Sequence, residues 1–565
     1  MANQNLYYSY EHQRKGFGNK KNIVAIWELI NFQDGIFMSS KAKTFVKGAA
    51  ILGVIGIICK IIGAIFRIPL ANIIDTQGMA YYQIVYPIYA LLLVISTAGL
   101  PAAIAKMVSE RRAVNDFQGA KNVFTTSARL LTIIGIISAI LLFAVSKPLA
   151  AVLGLPEAGI AFMAISPALF FVAIISSYRG YFQGMQMMAP TGFSQLMEQL
   201  VKLLIGLWFA KTFLVYGPEF GAAGALIGVT ISEVLALCLL LIIYRIKKPQ
   251  LDIEVKTGIT PDKNETRKIL LKKLLKIAIP VTLGSCIMPI VAAIDSAIVI
   301  KGLMAIGYAQ EAAADKFALL TGYVNPLINM PAVLSLALAM SLVPAISAFK
   351  AKGKTTELKE QSGLGFKIAL LVGLPSAVGF SILAKPIIML LYRNLDGALL
   401  DETAMLLIIM SIGVLVLTML QTMTGILQGL GRVFVPVTNL AVGAVVKIVT
   451  SLALIRIPDI NVKGAAIGTV ACYTIAAILD VYFVVKYTKM KIGLLNHIIK
   501  PIVCTALMGL TVYLLYPILY NIVGNSLATL GSITLGAVVY AASLIFTKTI
   551  TKREIDMIRG RKKTA

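Results

Sequence analysis

Gln183-Gly184, Pro190 and Val201-Lys202 return as Gln428-Gly429, Pro436 and Val446-Lys447, with the same distance from Gln to Lys in both copies. Downstream, Gly224-Ala225-Leu226-Ile227-Gly228 returns as Gly464-Ala465-Ala466-Ile467-Gly468, and upstream Leu100-Pro101-Ala102-Ala103-Ile104 is echoed by Val343-Pro344-Ala345-Ile346. Single matches of this kind carry little weight, since Gly, Ala and Ile abound in apolar helices. Three matches in one order, at an offset near 240 residues, mark an internal repeat.

What is repeated is a membrane bundle. Of 565 residues, 58% are hydrophobic and 14% charged, with a mean hydropathy of +0.85, against roughly 45–50% and 25% in soluble domains. A spanning helix needs about 20 mostly apolar residues, and the chain offers about fourteen such runs, from 46–68 and 84–105 through to 497–520 and 526–548. Six runs separate the two copies. That number is even, so equivalent helices run the same way, and the pseudo-two-fold axis lies along the membrane normal with a cavity between the halves. The expected fold is an all-α integral membrane protein: two six-helix lobes in parallel repeat, at 44–246 and 272–490, plus a C-terminal helix pair within 491–548. A basic linker spans 247–271 and a basic tail 549–565.

Charge placement supports the count. Lys+Arg number 52 against 26 Asp+Glu, a net +26. The basic residues gather after the second run (Lys106, Arg111, Arg112, Lys121), the sixth (Arg245 to Lys273), the eighth (Lys350, Lys352, Lys354, Lys359) and the twelfth (Lys486, Lys489, Lys491, Lys500). One miscounted span would destroy that alternation. By the positive-inside rule these loops, and both termini, are cytoplasmic. The same residues face anionic lipid rather than nucleic acid. Residues 1–43 are a polar tail without a signal peptide, and Met38, just before Ser39-Ser40-Lys41-Ala42-Lys43, reads as the native start.

Several chemistries lack material. Cys59, Cys238, Cys286, Cys472 and Cys504 lie singly in apolar stretches, and His12 and His497 flank no acidic or cysteine cluster, which disfavours a zinc site or a histidine triad. No Gly-rich phosphate loop ending in Lys-Ser/Thr occurs. The loop from Lys385 to Glu402 alone among the external loops carries several carboxylates, too little for a glycosyltransferase platform. The chain reads as a monomeric transporter of a bacterial cell membrane, not an enzyme.

An ionisable side chain at mid-membrane depth costs about 2.5–3.5 kcal/mol or more and is by default functional. Lys60 and Arg67, two turns apart in the first run, share a face with Gly56 and Gly63; Arg67 is also near enough to a helix end to snorkel. Glu198 and Lys202 are spaced to pair on one helix, with Arg179 able to join them. Glu233 and Asp480 have no obvious local partner. Asp295 is the deeper ionisable residue of the seventh run, and Lys301 reaches the outer interface. Lys447 repeats Lys202 without the Glu, so a visiting anion would explain it.

Tyr178-Arg179-Gly180-Tyr181-Phe182-Gln183-Gly184, followed by Met188, Pro190, Thr191, Ser194-Gln195 and Glu198-Gln199, resembles the prokaryotic polysaccharide-flippase group, especially its stage V sporulation protein B and lipid II flippase branch. Lys60-x-x-Gly63 with Arg67, and the turn Gly99-Leu100-Pro101, are similar too. The resemblance implies two bundles forming a V, a C-terminal pair whose groove holds a lipid tail, and transfer of undecaprenyl-diphosphate-linked saccharide, the peptidoglycan precursor lipid II in that branch, to the outer leaflet. It implies a diphosphate seat of cations, for which Lys60, Arg67, Arg179, Lys202 and Lys447 are the candidates. Coupling to Na+ or H+ would fall to Asp295 and Glu198, with no other cofactor. The branch also carries basic residues in its second span, and none occurs here from Ile84 to Ala105. A cation antiporter of the same superfamily would use Glu198, Glu233 and Asp295 instead, but the first-run cations would repel its cargo.

Overall fold

The computed structural model describes residues 41–97, 99–258 and 266–549. The expectations for residues 1–40, Met38 included, and for 550–565 lie outside the described residues. Twelve helical runs among the described residues are long and apolar enough to cross a bilayer. Two of them are far too long for one crossing: Leu52–Ala113, at 62 residues, and Leu494–Phe546, at 53, would measure about 93 and 80 Å at 1.5 Å per residue, against roughly 30 Å of hydrocarbon. Each doubles back at one left-handed residue, Asp75 (φ 59°) and Gly524 (φ 73°). The twelve runs thus hold fourteen crossings: α1 (52–74), α2 (76–113), α3 (Phe117–Leu153), α4 (Pro156–Gly184), α5 (Met188–Tyr216), α6 (Pro218–Thr257), α7 (Arg267–Ala305), α8 (Gln310–Ala351), α9 (Thr355–Ile382), α10 (Gly397–Gly429), α11 (Phe434–Ile455), α12 (Lys463–Thr488), α13 (494–523) and α14 (525–546).

Local chemistry sets the ends. Asp116 caps α3 by accepting from the Gly119 amide at 2.7 Å, and left-handed Gly154 closes it. Gly217 and Pro218 start α6, where proline's missing donor costs nothing.

The repeat is visible in the packing. A Cβ at Gly224 would strike the Phe209 carbonyl, and one at Gly464 would strike Leu454 and Ile455. One at Gly228 would strike Gly206, and one at Gly468 would strike Ser451. The two Gly-x-x-x-Gly motifs therefore perform the same task in both halves, bringing α6 onto α5 and α12 onto α11 at backbone distance.

Burial defines a V. One continuous core at the Asp75 end draws on both halves, with Ile74, Met79 and Tyr82 against Tyr323, Leu327 and Tyr392. At the other end the cores separate: Leu342, Ile346, Met423 and Ile426 form one, and Leu100, Ile104, Val123 and Phe124 another. Helix α7 also reaches the shared core, through Val299, Ile300 and Leu303. Its first half joins the core around Leu100 through Leu270, Leu274 and Ala278, and the Gly99 amide donates to Thr282 Oγ1 at 3.2 Å. Its last turns meet α11 where Gly302 faces Ile455.

Candidate functional site

Helix α1 carries the first two candidates. At about 100° per residue, Lys60 and Arg67 stand about 20° apart, whereas the exposed residues Val54, Ile58, Ile61 and Ile65 gather about 130° round from them. Lys60 is also exposed, so its opening is not the one that the apolar stripe faces. Beside it, a Cβ on Gly56 would meet nothing within 4 Å. Lys60 therefore faces open space on a side of α1 different from the apolar stripe. Arg67 is half-buried, with its guanidinium carbon 5.6 Å from the centre of the Tyr86 ring.

Tyr86 belongs to a ladder that the reading of the sequence missed. Tyr82, Tyr86 and Tyr89 occupy one face of α2, with ring centres 5.9 and 6.1 Å apart, and Tyr82 lies 6.3 Å from Phe66. Phe66 lies under Lys202, whose Nζ is 5.5 Å from the ring centre. The i, i+4, i+7 spacing of the tyrosines is the signal in the sequence that marks the ladder.

Lys202 does not pair with Glu198. The Lys202 amide keeps its helical bond to the Glu198 carbonyl, and a π-turn follows over Lys202–Gly206, but the ammonium lies against Phe66 of α1. Glu198 accepts instead from Arg179 Nη2 at 3.1 Å and from Gln199 Nε2 at 3.1 Å. Arg179 Nε donates to Ser194 at 2.9 Å, so a neutral pair ties α4 to α5. Glu233 on α6 is buried, within electrostatic reach of Glu198, Arg179 and Lys202, and its Oε2 has no hydrogen-bond partner. Among the described residues, Lys60, Arg67 and Lys202 have no carboxylate partner.

The second half is balanced differently. Lys447 is not unpaired: its Nζ lies 2.9 Å from Asp295 Oδ2, both side chains 13% exposed. The partner comes from α7, so no local spacing could reveal it. Asp480 is not alone either. It is fully buried and accepts from Asn439 Nδ2 at 2.8 Å and Thr424 Oγ1 at 2.7 Å. Lys301 is exposed near the end of α7.

Residues 45–350, more than half of the chain, match the polysaccharide biosynthesis protein family, and residues 320–452 match MatE. The chain belongs to the polysaccharide biosynthesis protein family. This family lies within the multidrug/oligosaccharidyl-lipid/polysaccharide exporter superfamily, and the chain is a multi-pass membrane transporter rather than an enzyme. Stage V sporulation protein B of Bacillus subtilis (strain 168) is 28% identical over 80% of this chain and 86% of that protein. Lipid II flippase MurJ of the same organism is 28% identical over 84% and 88%. A solved structure of a lipid II flippase MurJ, in an inward closed conformation, superposes with a TM-score of 0.63 at 17% identity, covering 88% of this chain and 99% of that one. The family's exporter fold is thus the fold of this chain.

Proposed function

We propose that this member of the family moves an undecaprenyl-diphosphate-linked saccharide, of the lipid II class, from the inner to the outer leaflet. The observation that carries the reading is the uncompensated positive charge of the first half. Lys60, Arg67 and Lys202 form the seat, a set of cations that a diphosphate would neutralise with charge-assisted hydrogen bonds. Arg179 and Lys447 are reserve contacts, since each must first release its carboxylate. The name of one relative, lipid II flippase MurJ of Bacillus subtilis, points to the same cargo.

Two lobes, 44–246 and 272–490, rock about the seat, with the prenyl tail in lipid beside the pair α13 and α14. The basic loops and both termini lie in the cytoplasm, so the sealed Asp75 end faces outward. Ion coupling at Asp295 or Glu198 requires a Na+ or H+ to compete with Lys447 or Arg179. Asp295→Asn then slows transport, with cargo binding largely kept; unaltered ion and potential dependence in that variant removes Asp295 from the mechanism.

Binding of undecaprenyl-diphosphate muropeptide to detergent-purified protein tests the seat. Arg67→Ala should weaken it at least about tenfold, the scale of one hydrogen bond to a charged group, and Arg67→Lys should lie between, keeping charge but losing the bidentate fork. Wild-type affinity in Arg67→Ala, with efflux of a cationic dye intact, would point to the antiporter instead.

A further inference from the structure

At the Asp75 end the two halves meet through side-chain amides. Asn72, near the end of α1, donates from Nδ2 to the Leu391 carbonyl at 2.8 Å and accepts at Oδ1 from the Arg393 amide at 2.8 Å. Tyr392, between them, is extended (φ −121°, ψ 102°). In an extended segment the carbonyl of one residue and the amide two residues on point to the same side, toward a neighbouring strand. The Asn72 carboxamide takes the place of that strand. A carboxylate accepts but cannot donate, and a hydroxyl is too small to span both groups, so the site suits an amide.

A second amide works beside it. Asn394 Nδ2 lies 2.9 Å from Asp75 Oδ1, 3.1 Å from the Ala71 carbonyl and 2.8 Å from the Tyr323 hydroxyl. The Tyr323 hydroxyl donates to Ala71 at 3.1 Å, and Gln83 Nε2 donates to the Thr321 carbonyl at 2.8 Å. Apart from the Asn394–Tyr323 contact, which lies within the second half, these bonds join residues 71–83 of the first half to the second. Arg67 stands five residues before Asn72 on the same helix, within electrostatic reach of buried Tyr392.

We infer that Asn72 and Asn394 form a latch that holds the Asp75 end shut and sets the balance between the closed and opened states of that end. Parting the halves there breaks the Asn72 bridge as a unit, together with the Asn394 contacts to Asp75 and Ala71, whereas contacts within one half survive. The inference rests on the rocking motion proposed above but not on the identity of the cargo.

Spin labels at Tyr216 and Ile457, exposed near the same end in opposite halves, report the opening by pulsed dipolar spectroscopy without cargo, after replacement of Cys59 and Cys238. Asn72→Asp keeps the size and the acceptor, loses the donor and sets a carboxylate against the Leu391 carbonyl. It should shift the closed-to-open ratio by roughly tenfold toward a longer distance, the effect of one or two hydrogen bonds. Asn394→Ala should shift the ratio the same way. Lys316→Gln breaks the ion pair with Glu402 within the second half and should leave the distances alone. Unchanged distances in both Asn variants, an equal shift in Lys316→Gln, or a lowered thermal midpoint without the longer distance would each overturn the latch. Loss of the cargo reading would show instead in the muropeptide binding of Arg67→Ala.

Discussion

Lys202 and Lys447 occupy the same position in the two copies of the repeat and have opposite surroundings. Lys447 is neutralised by Asp295 at 2.9 Å, whereas Lys202 lies over the Phe66 ring with no carboxylate partner among the described residues. Symmetry of the backbone therefore does not extend to charge. A ring face holds a cation without cancelling it, so the first half retains attraction for an anion that the second half has already satisfied internally. Under the function proposed above, this difference assigns the diphosphate to the first half, with Lys202 as a recognising cation and Lys447 as a bracing one.

The largest effect expected from this contrast is on stability. Lys447→Ala leaves the largely buried Asp295 uncompensated, which should cost up to about 3–5 kcal/mol, read as a fall in the thermal midpoint of the purified protein. Adding Asp295→Asn should recover most of it, because the charge that needed compensation is gone. A midpoint unmoved by the single change would end the distinction between the two lysines.

Next comes the converse. Lys202→Ala loses only a cation–π contact, about 1 kcal/mol, yet it should weaken binding of the diphosphate lipid roughly ten- to a hundredfold if the ammonium bonds a phosphate oxygen. Equal loss of binding in a folded Lys447 variant would blur the contrast, and intact binding in Lys202→Ala would remove this residue from the seat.

The smallest effects concern the sixth helix of each half. Asp480 accepts from two donors, so Asp480→Asn turns an amide NH2 toward one of them and should cost about 1–2 kcal/mol. Glu233 has one oxygen without a partner, and Glu233→Gln should be nearly neutral. Chemical denaturation of the two variants, side by side, checks the order; a larger loss at Glu233 would mean that its carboxylate is part of the first half's charge balance.

The fourteen crossings, their alternating basic loops and the repeat were all legible in the residues. Apolar length and charge are properties of a segment by itself, and a bilayer selects on them before any helix meets another. The glycine pairs Gly224/Gly228 and Gly464/Gly468 could be recognised for the same reason, since a missing Cβ acts wherever the helix packs. Pairing of charges could not be read this way. Glu198 with Lys202 was the pair that helical spacing favoured, but Arg179 from another helix takes the Glu198 carboxylate and Lys202 meets Phe66 instead. Asp295 reaches Lys447, and Asn72 reaches Leu391 and Arg393, only because helices far apart in the chain are brought together at particular rotations. Such a contact depends on the rotational phase of two helices to within a fraction of a turn. Hydrophobic periodicity sets which face is buried but leaves the partner across it open, and that choice is made only when the bundle packs.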